Sequence, residues 1–141
     1  MKKLMKFLSL VLIASIISGS LVYQRVDAKD ISFAGKYKNG KYVITLSQNS
    51  KKSSYKTGEK CGKMTLTDNG NNVMGGYSHG EIVFDGTPIK KIGKNKYSAT
   101  DSAYSGYKCT IIVKKKSISV KFTKPKGAWK VGKNGTYTLK G

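Results

Sequence analysis

Catalytic raw material is scarce in this chain. Histidine occurs once, at His79, and aspartate and glutamate together occur seven times in 141 residues. An enzyme needs a base, an acid or a nucleophile held in a site that tunes it. Ser78, His79 and Glu81 are close in sequence, but neighbours on a strand face opposite sides, so Ser78 and His79 are badly placed to bond each other. Asp68 and Asp85 precede Asn or Gly in turn contexts, where an aspartate bonds local backbone. Asp30, Glu59, Glu81 and Asp101 are too scattered for a carboxylate pair, and no phosphate-cradling glycine loop appears. Two cysteines and one histidine cannot fill a tetrahedral metal site. The expectation is a non-enzymatic protein with no catalytic residue, no metal and no cofactor.

Arginine is nearly absent as well. Arg25 is the only one among 27 basic residues, and the rest are lysine. Lysine is a hydrated point charge, whereas the arginine fork suits bidentate readout of guanine or phosphate. The shortage argues against sequence-specific nucleic-acid recognition.

One apolar run stands out, and it lies at the start. Lys2, Lys3 and Lys6 form a positive n-region and Phe7 to Ile17 an apolar h-region. Val26-Asp27-Ala28 then reads as a small-x-Ala cleavage site. The run falls short of the roughly 20 apolar residues of a spanning helix, and no cysteine near the cleavage site supports a lipoprotein anchor. Residues 1–28 are therefore expected to be a signal peptide and residues 29–141 a single secreted domain. Its removal takes Lys2, Lys3, Lys6, Arg25 and Asp27, leaving 23 lysines against six acids, a net charge of +17. An exported domain this basic should adsorb to polyanions. Cys61 and Cys109, an even count in an exported chain, suggest a disulfide. Such a bridge would stabilise the domain by roughly 4 kcal/mol on the chain-entropy model.

From Phe33 onward, Gly, Asn and Asp punctuate short alternating runs, and no window sustains a helical period. The clearest element is the hairpin Tyr107 to Phe122. With Lys115 and Lys116 as its two loop residues, Val113 faces Ile118, Ile111 faces Val120 and Cys109 faces Phe122. Tyr107, Cys109, Ile111, Val113, Ile118, Val120 and Phe122 then share the core face, and only Ile112 breaks the pattern. A second hairpin turns at Asn39-Gly40. Pairing Tyr37 with Tyr42 puts Phe33, Tyr37, Tyr42, Ile44 and Leu46 inward and Lys36, Lys38 and Lys41 outward.

Gln48 to Lys60 reads as a mobile loop and Gly62 to Thr67 as a strand ending at Asp68-Asn69-Gly70. Asn71 to Gly80 reads as loop or irregular edge. Strands follow at Glu81 to Asp85, Ile89 to Ile92 and Lys96 to Thr100. Pro125 closes the hairpin's second strand, because it cannot donate to a ladder. Lys124 to Asn134 is an irregular basic segment carrying Trp129, and Gly135 to Leu139 is the last strand. First and last strands of similar pattern would pair if the sheet closes on itself. The fold class expected is all-β, a small antiparallel β-barrel or β-sandwich of about eight strands.

Three pieces of this order carry a resemblance: Gly35-x-Tyr37 at the opening, Tyr97 to Val113, and Gly135-x-Tyr137 at the close. In them the chain resembles small exported calycin-like domains, including lipocalin-like bacterial barrels and some lysozyme inhibitors. The resemblance implies a β-barrel. Lipocalins proper carry G-x-W on the first strand, where this chain has tyrosine, and Gly127-x-Trp129 comes too late to replace it. Lysozyme inhibitors meet a basic enzyme, which a +17 domain would repel.

Candidate anion-binding residues are the clustered lysines Lys51, Lys52, Lys90, Lys91, Lys114, Lys115, Lys116, Lys124, Lys126, Lys130 and Lys133. Tyr55, Tyr77, Tyr104 and Trp129 are candidate aromatic contacts, since aromatics interleaved with lysine suit polymers with stackable units. The function expected is a secreted, disulfide-stapled binding module. Its partner would be an anionic surface or polymer: wall polymer, anionic lipid or glycosaminoglycan. The alternatives are a cationic antimicrobial or toxin-like effector and a lipocalin-like carrier of a small apolar ligand.

Overall fold

Alternating apolar positions become strands almost wherever they occur. A computed structural model describes residues 30–49, 54–101, 104 and 106–141. The expected signal peptide, residues 1–28, lies outside the described residues, as do Lys51 and Lys52.

Among the described residues there are ten strands: β1 (Gly35–Asn39), β2 (Tyr42–Gln48), β3 (Lys60–Asp68), β4 (Asn71–Gly76), β5 (Gly80–Val83), β6 (Thr87–Gly93), β7 (Lys96–Thr100), β8 (Lys108–Val113), β9 (Ser117–Thr123) and β10 (Gly135–Leu139). Among the described residues there is no helix. Eight strands close an antiparallel barrel in the order β1-β2-β3-β6-β7-β8-β9-β10. The first and last strands pair as expected, Lys38 opposite Thr138 and Tyr37 opposite Leu139. Closure removes both sheet edges, which would otherwise offer unpaired backbone groups.

The β8–β9 hairpin has the register its sequence dictates. Val113 faces Ile118, Ile111 faces Val120 and Cys109 faces Phe122. Tyr107, Cys109, Ile111, Val113, Ile118 and Val120 are buried, and Ile112 is exposed. The β1–β2 turn differs from expectation. Asn39 pairs with Tyr42 and Tyr37 with Ile44, so the loop residues are Gly40 and Lys41. Gly40 takes φ +64°, and glycine at the first central position is what a type II′ turn requires. The shift is two residues, so the inward face survives: Phe33, Tyr37, Ile44 and Leu46 are buried, and only Tyr42 moves to half-buried.

Both ends of the barrel are covered. At one end a strap of residues 30–33 crosses the opening. The Asp30 carboxylate pairs with the Lys91 ammonium and accepts from the Asn95 backbone N–H at 3.1 Å. The Phe33 ring packs on Tyr97, centroids 4.7 Å apart. At the other end the β4–β5 hairpin leaves the wall after Asn72. Phe84, just beyond it, bonds Leu66 on β3 through its carbonyl. Its ring meets Phe122 on β9 at 5.6 Å. Those strands stand four places apart around the eight-stranded wall, so the hairpin spans the mouth. Asn71 to Gly76, expected as loop, is thus a strand; two asparagines and two glycines hide an alternation carried by Val73 and Gly75 inward and Met74 outward. The barrel closes and buries its core entirely within residues 30–141.

The expected disulfide does not form. Cys61 and Cys109 are both buried and unbonded. Cys61 lies on β3 and Cys109 on β8, with β6 and β7 between them. Three strand spacings come to roughly 14 Å around the wall, about twice the Cα separation that a disulfide tolerates. The Cys61 thiol donates instead to the Glu59 carbonyl at 3.1 Å.

Candidate anion-binding site

The lysine clusters among the described residues do not merge into one patch. Lys114, Lys115 and Lys116 form the β8–β9 turn, while Lys124, Lys126, Lys130 and Lys133 follow β9 at its far end. Roughly 25 Å of strand separates the two groups. Lys90 is exposed on the outside of β6, and its neighbour Lys91 is half-buried and committed to Asp30. Alternation along β6 sends adjacent lysines to opposite faces, and the inward one needs a counter-ion. Lys91 therefore leaves the set of candidate anion contacts.

A different set of lysines comes together on the outer wall of β1, β2 and β3. A groove of about 470 Å³ is lined by Lys36, Lys38, Lys41 and Lys140, with Val43, Thr45, Thr67 and the turn residues Gly40, Asn69 and Gly70. No acidic residue lines it. Strand period 2 puts Lys36 and Lys38 outward on either side of buried Tyr37. Register does the rest. Lys38 lies opposite Val43, which lies opposite Thr67, and Lys36 lies opposite Thr45. The Thr67 hydroxyl contacts the Val43 carbonyl at 3.5 Å. Lys140 arrives through barrel closure, its N–H donating to the Lys36 carbonyl at 2.8 Å. Lys41 sits 3.3 Å from Asp68 and 5.4 Å from the centre of the Tyr42 ring. Small threonine and valine side chains floor the groove and long lysines rim it. Chemically this arrangement offers several ammonium donors along one line to repeated anionic groups.

The four candidate aromatics divide three to one. Tyr77, Tyr104 and Trp129 gather at the hairpin-capped end, where the Tyr77 and Tyr104 rings meet edge to face at 6.3 Å. Tyr107 ties them together from below. It donates its hydroxyl to the Trp129 carbonyl at 2.6 Å and accepts from the Gly76 N–H at 3.0 Å, while Trp129 N–H donates to Gly76 O at 2.8 Å. Tyr55 does not join them. It is buried, with its hydroxyl donating to Asn49 O at 2.7 Å, and closes the β2–β3 loop.

Sequence reasoning singled out lysine runs and so missed the groove. Lys36, Lys38 and Lys41 were legible as an outward face of the first hairpin, but Lys140 joins them only because the last strand returns to the first. Among the described residues no group of three or more His, Cys, Asp or Glu side chains could hold a metal ion. Ser78 and His79 lie exposed in the β4–β5 turn. No protein-family model, curated protein or solved structure matches this chain.

Proposed function

We propose that this protein is a non-enzymatic binding module that holds an extended anionic polymer along the β1–β3 wall. The observation that carries the reading is the groove rimmed by Lys36, Lys38 and Lys140, with Lys41 paired to Asp68 at its edge. A chain bearing a phosphate, sulfate or carboxylate on each repeat, such as a wall polymer or a glycosaminoglycan, matches a row of ammonium groups better than a compact ligand does. Several weak contacts add up there, each screened by salt. The barrel interior is packed with Phe33, Tyr97, Tyr107, Tyr137 and Phe84, all fully buried, so the outer wall is the surface that favours binding. Export from the cell, through residues 1–28, belongs to the same proposal.

The test is retention on immobilised heparin in a salt gradient. Attraction summed over several lysines gives affinity that falls steeply with added salt. Lys36→Gln with Lys38→Gln should bring elution to clearly lower salt, whereas Lys114→Gln with Lys115→Gln, equal in charge removed, should shift it less. Equal shifts for the two pairs would leave general charge, and not the groove, as the cause.

A further inference from the structure

The hairpin-capped end carries an exposed apolar surface that the groove does not include. Met74, Tyr77 and Ile82 are 47%, 49% and 46% exposed, the three most exposed large hydrophobic residues described, and Trp129 is 43% exposed. Met74 and Ile82 are register partners on the outward face of the β4–β5 hairpin. The Trp129 ring lies over Gly80 beside Met74. A methyl group on Gly80 would come within 2.9 Å of the indole and 3.3 Å of Met74. Glycine at position 80 therefore lets the indole pack closely against the hairpin. Tyr77 sits at the hairpin's turn, against Gly127. The Tyr107 hydroxyl and the Trp129–Gly76 backbone bond tie this surface to the hairpin.

Cations border the same surface. Lys124, Lys126, Lys130 and Lys133 are all exposed on the segment that presents Trp129. Glu81, next to Ile82 in sequence and opposite Gly75, belongs to the other face of the hairpin and accepts from the Tyr104 hydroxyl at 3.0 Å. Tryptophan and tyrosine have an apolar body and a polar edge, which suits the boundary between headgroups and acyl chains. Lysines beside such a surface are drawn to anionic headgroups. Exposed apolar area of this kind on a soluble fold marks an interaction site.

We infer that the capped end docks on an anionic lipid bilayer, with Met74, Tyr77, Ile82 and Trp129 entering the headgroup boundary and the lysines of residues 124–133 contacting lipid phosphates. This inference does not rest on the polymer reading, because none of its residues lines the groove.

The sole tryptophan supplies the probe. Residues 29–141, which contain the whole barrel, are mixed at low salt with vesicles of phosphatidylcholine alone or of phosphatidylcholine with phosphatidylglycerol. Trp129 emission should shift to the blue, and be quenched by brominated acyl chains, with the anionic vesicles only. Met74→Ser and Tyr77→Ser, both at exposed positions, should each weaken vesicle binding about tenfold and leave heparin retention unchanged. Lys36→Gln with Lys38→Gln should weaken heparin retention and leave the blue shift in place. Three results would each overturn the inference: no vesicle binding, binding with unshifted Trp129 emission, or serine variants that bind like the parent.

Discussion

Single side chains decide how much chemical reactivity this protein shows. The two thiols are the clearest case. Burial pushes the Cys109 thiol well above the usual cysteine range. Cys61 is raised as well, chiefly by burial, with the bond to the Lys91 backbone acting in the opposite sense. The thiolate is the reactive form, so both cysteines should be inert in the folded state. A disulfide-exchange reagent is expected to label neither thiol in native protein and both after denaturation. Labelling of neither thiol in denaturant would mean that they are bridged after all. The Tyr97 hydroxyl is the one buried side-chain polar atom described without a hydrogen-bond partner. Burial accordingly pushes it, as an acid, well above the ordinary tyrosine range.

At the scale of elements, the barrel depends on segments outside its eight wall strands. The strap of residues 30–33 is held by hydrogen bonds to Asn95 and Gln48 and by an ion pair whose members are nearly out of water, 3% exposed for Asp30 and 13% for Lys91. Removing one partner leaves the other charge desolvated and alone, which costs about 3 kcal/mol. Asp30→Ala should therefore lower the unfolding free energy by that amount. A denaturant titration showing a loss near zero would mean that water reaches Lys91. The β3 strand has its own requirement. Cys61 and Gly62 are both buried at a register shift against β6. A Cβ on Gly62 would lie 1.9 Å from the Ser47 carbonyl oxygen, so only glycine lets β2 and β3 approach there.

Over the whole molecule, alkaline pH sets two effects against each other. The Tyr137 hydroxyl is raised to about 12, chiefly by burial, with its bond to the Lys133 backbone acting against the shift and the nearby Cys109 and Tyr42 adding to it. The unfolded chain releases that proton near pH 10. The stability Tyr137 contributes is thus complete below pH 10 and lost between about pH 10 and 12. Lysine neutralisation in the same window relieves repulsion within a chain of formal charge +20, so the net curve mixes the two. The difference between the parent and Tyr137→Phe isolates the tyrosine. Their thermal midpoints should converge as pH rises from 10 towards 12, and parallel curves would show that Tyr137 titrates no differently in the fold.

Alternating burial was legible without any structure. The β7 and β10 boundaries, the β8–β9 register and the pairing of first strand with last all followed from pattern, because period-2 burial leaves a strand no freedom of face. Pattern could not show that β4 is a strand, since its inward positions are Val73 and Gly75, which carry little hydrophobic signal. It also could not place the cysteines. An even count in a chain read as exported is a statement about compartment, and two intervening strands are a matter of topology. The same holds for the surfaces. Lys36, Lys38 and Lys41 are outward by alternation alone, but Lys140 reaches them only when the sheet closes. Met74 and Ile82 meet Trp129 only when a hairpin folds across the barrel mouth. Local pattern fixes which way a side chain points; which distant side chains share its surface depends on how the strands are ordered, and that is settled by long-range pairing.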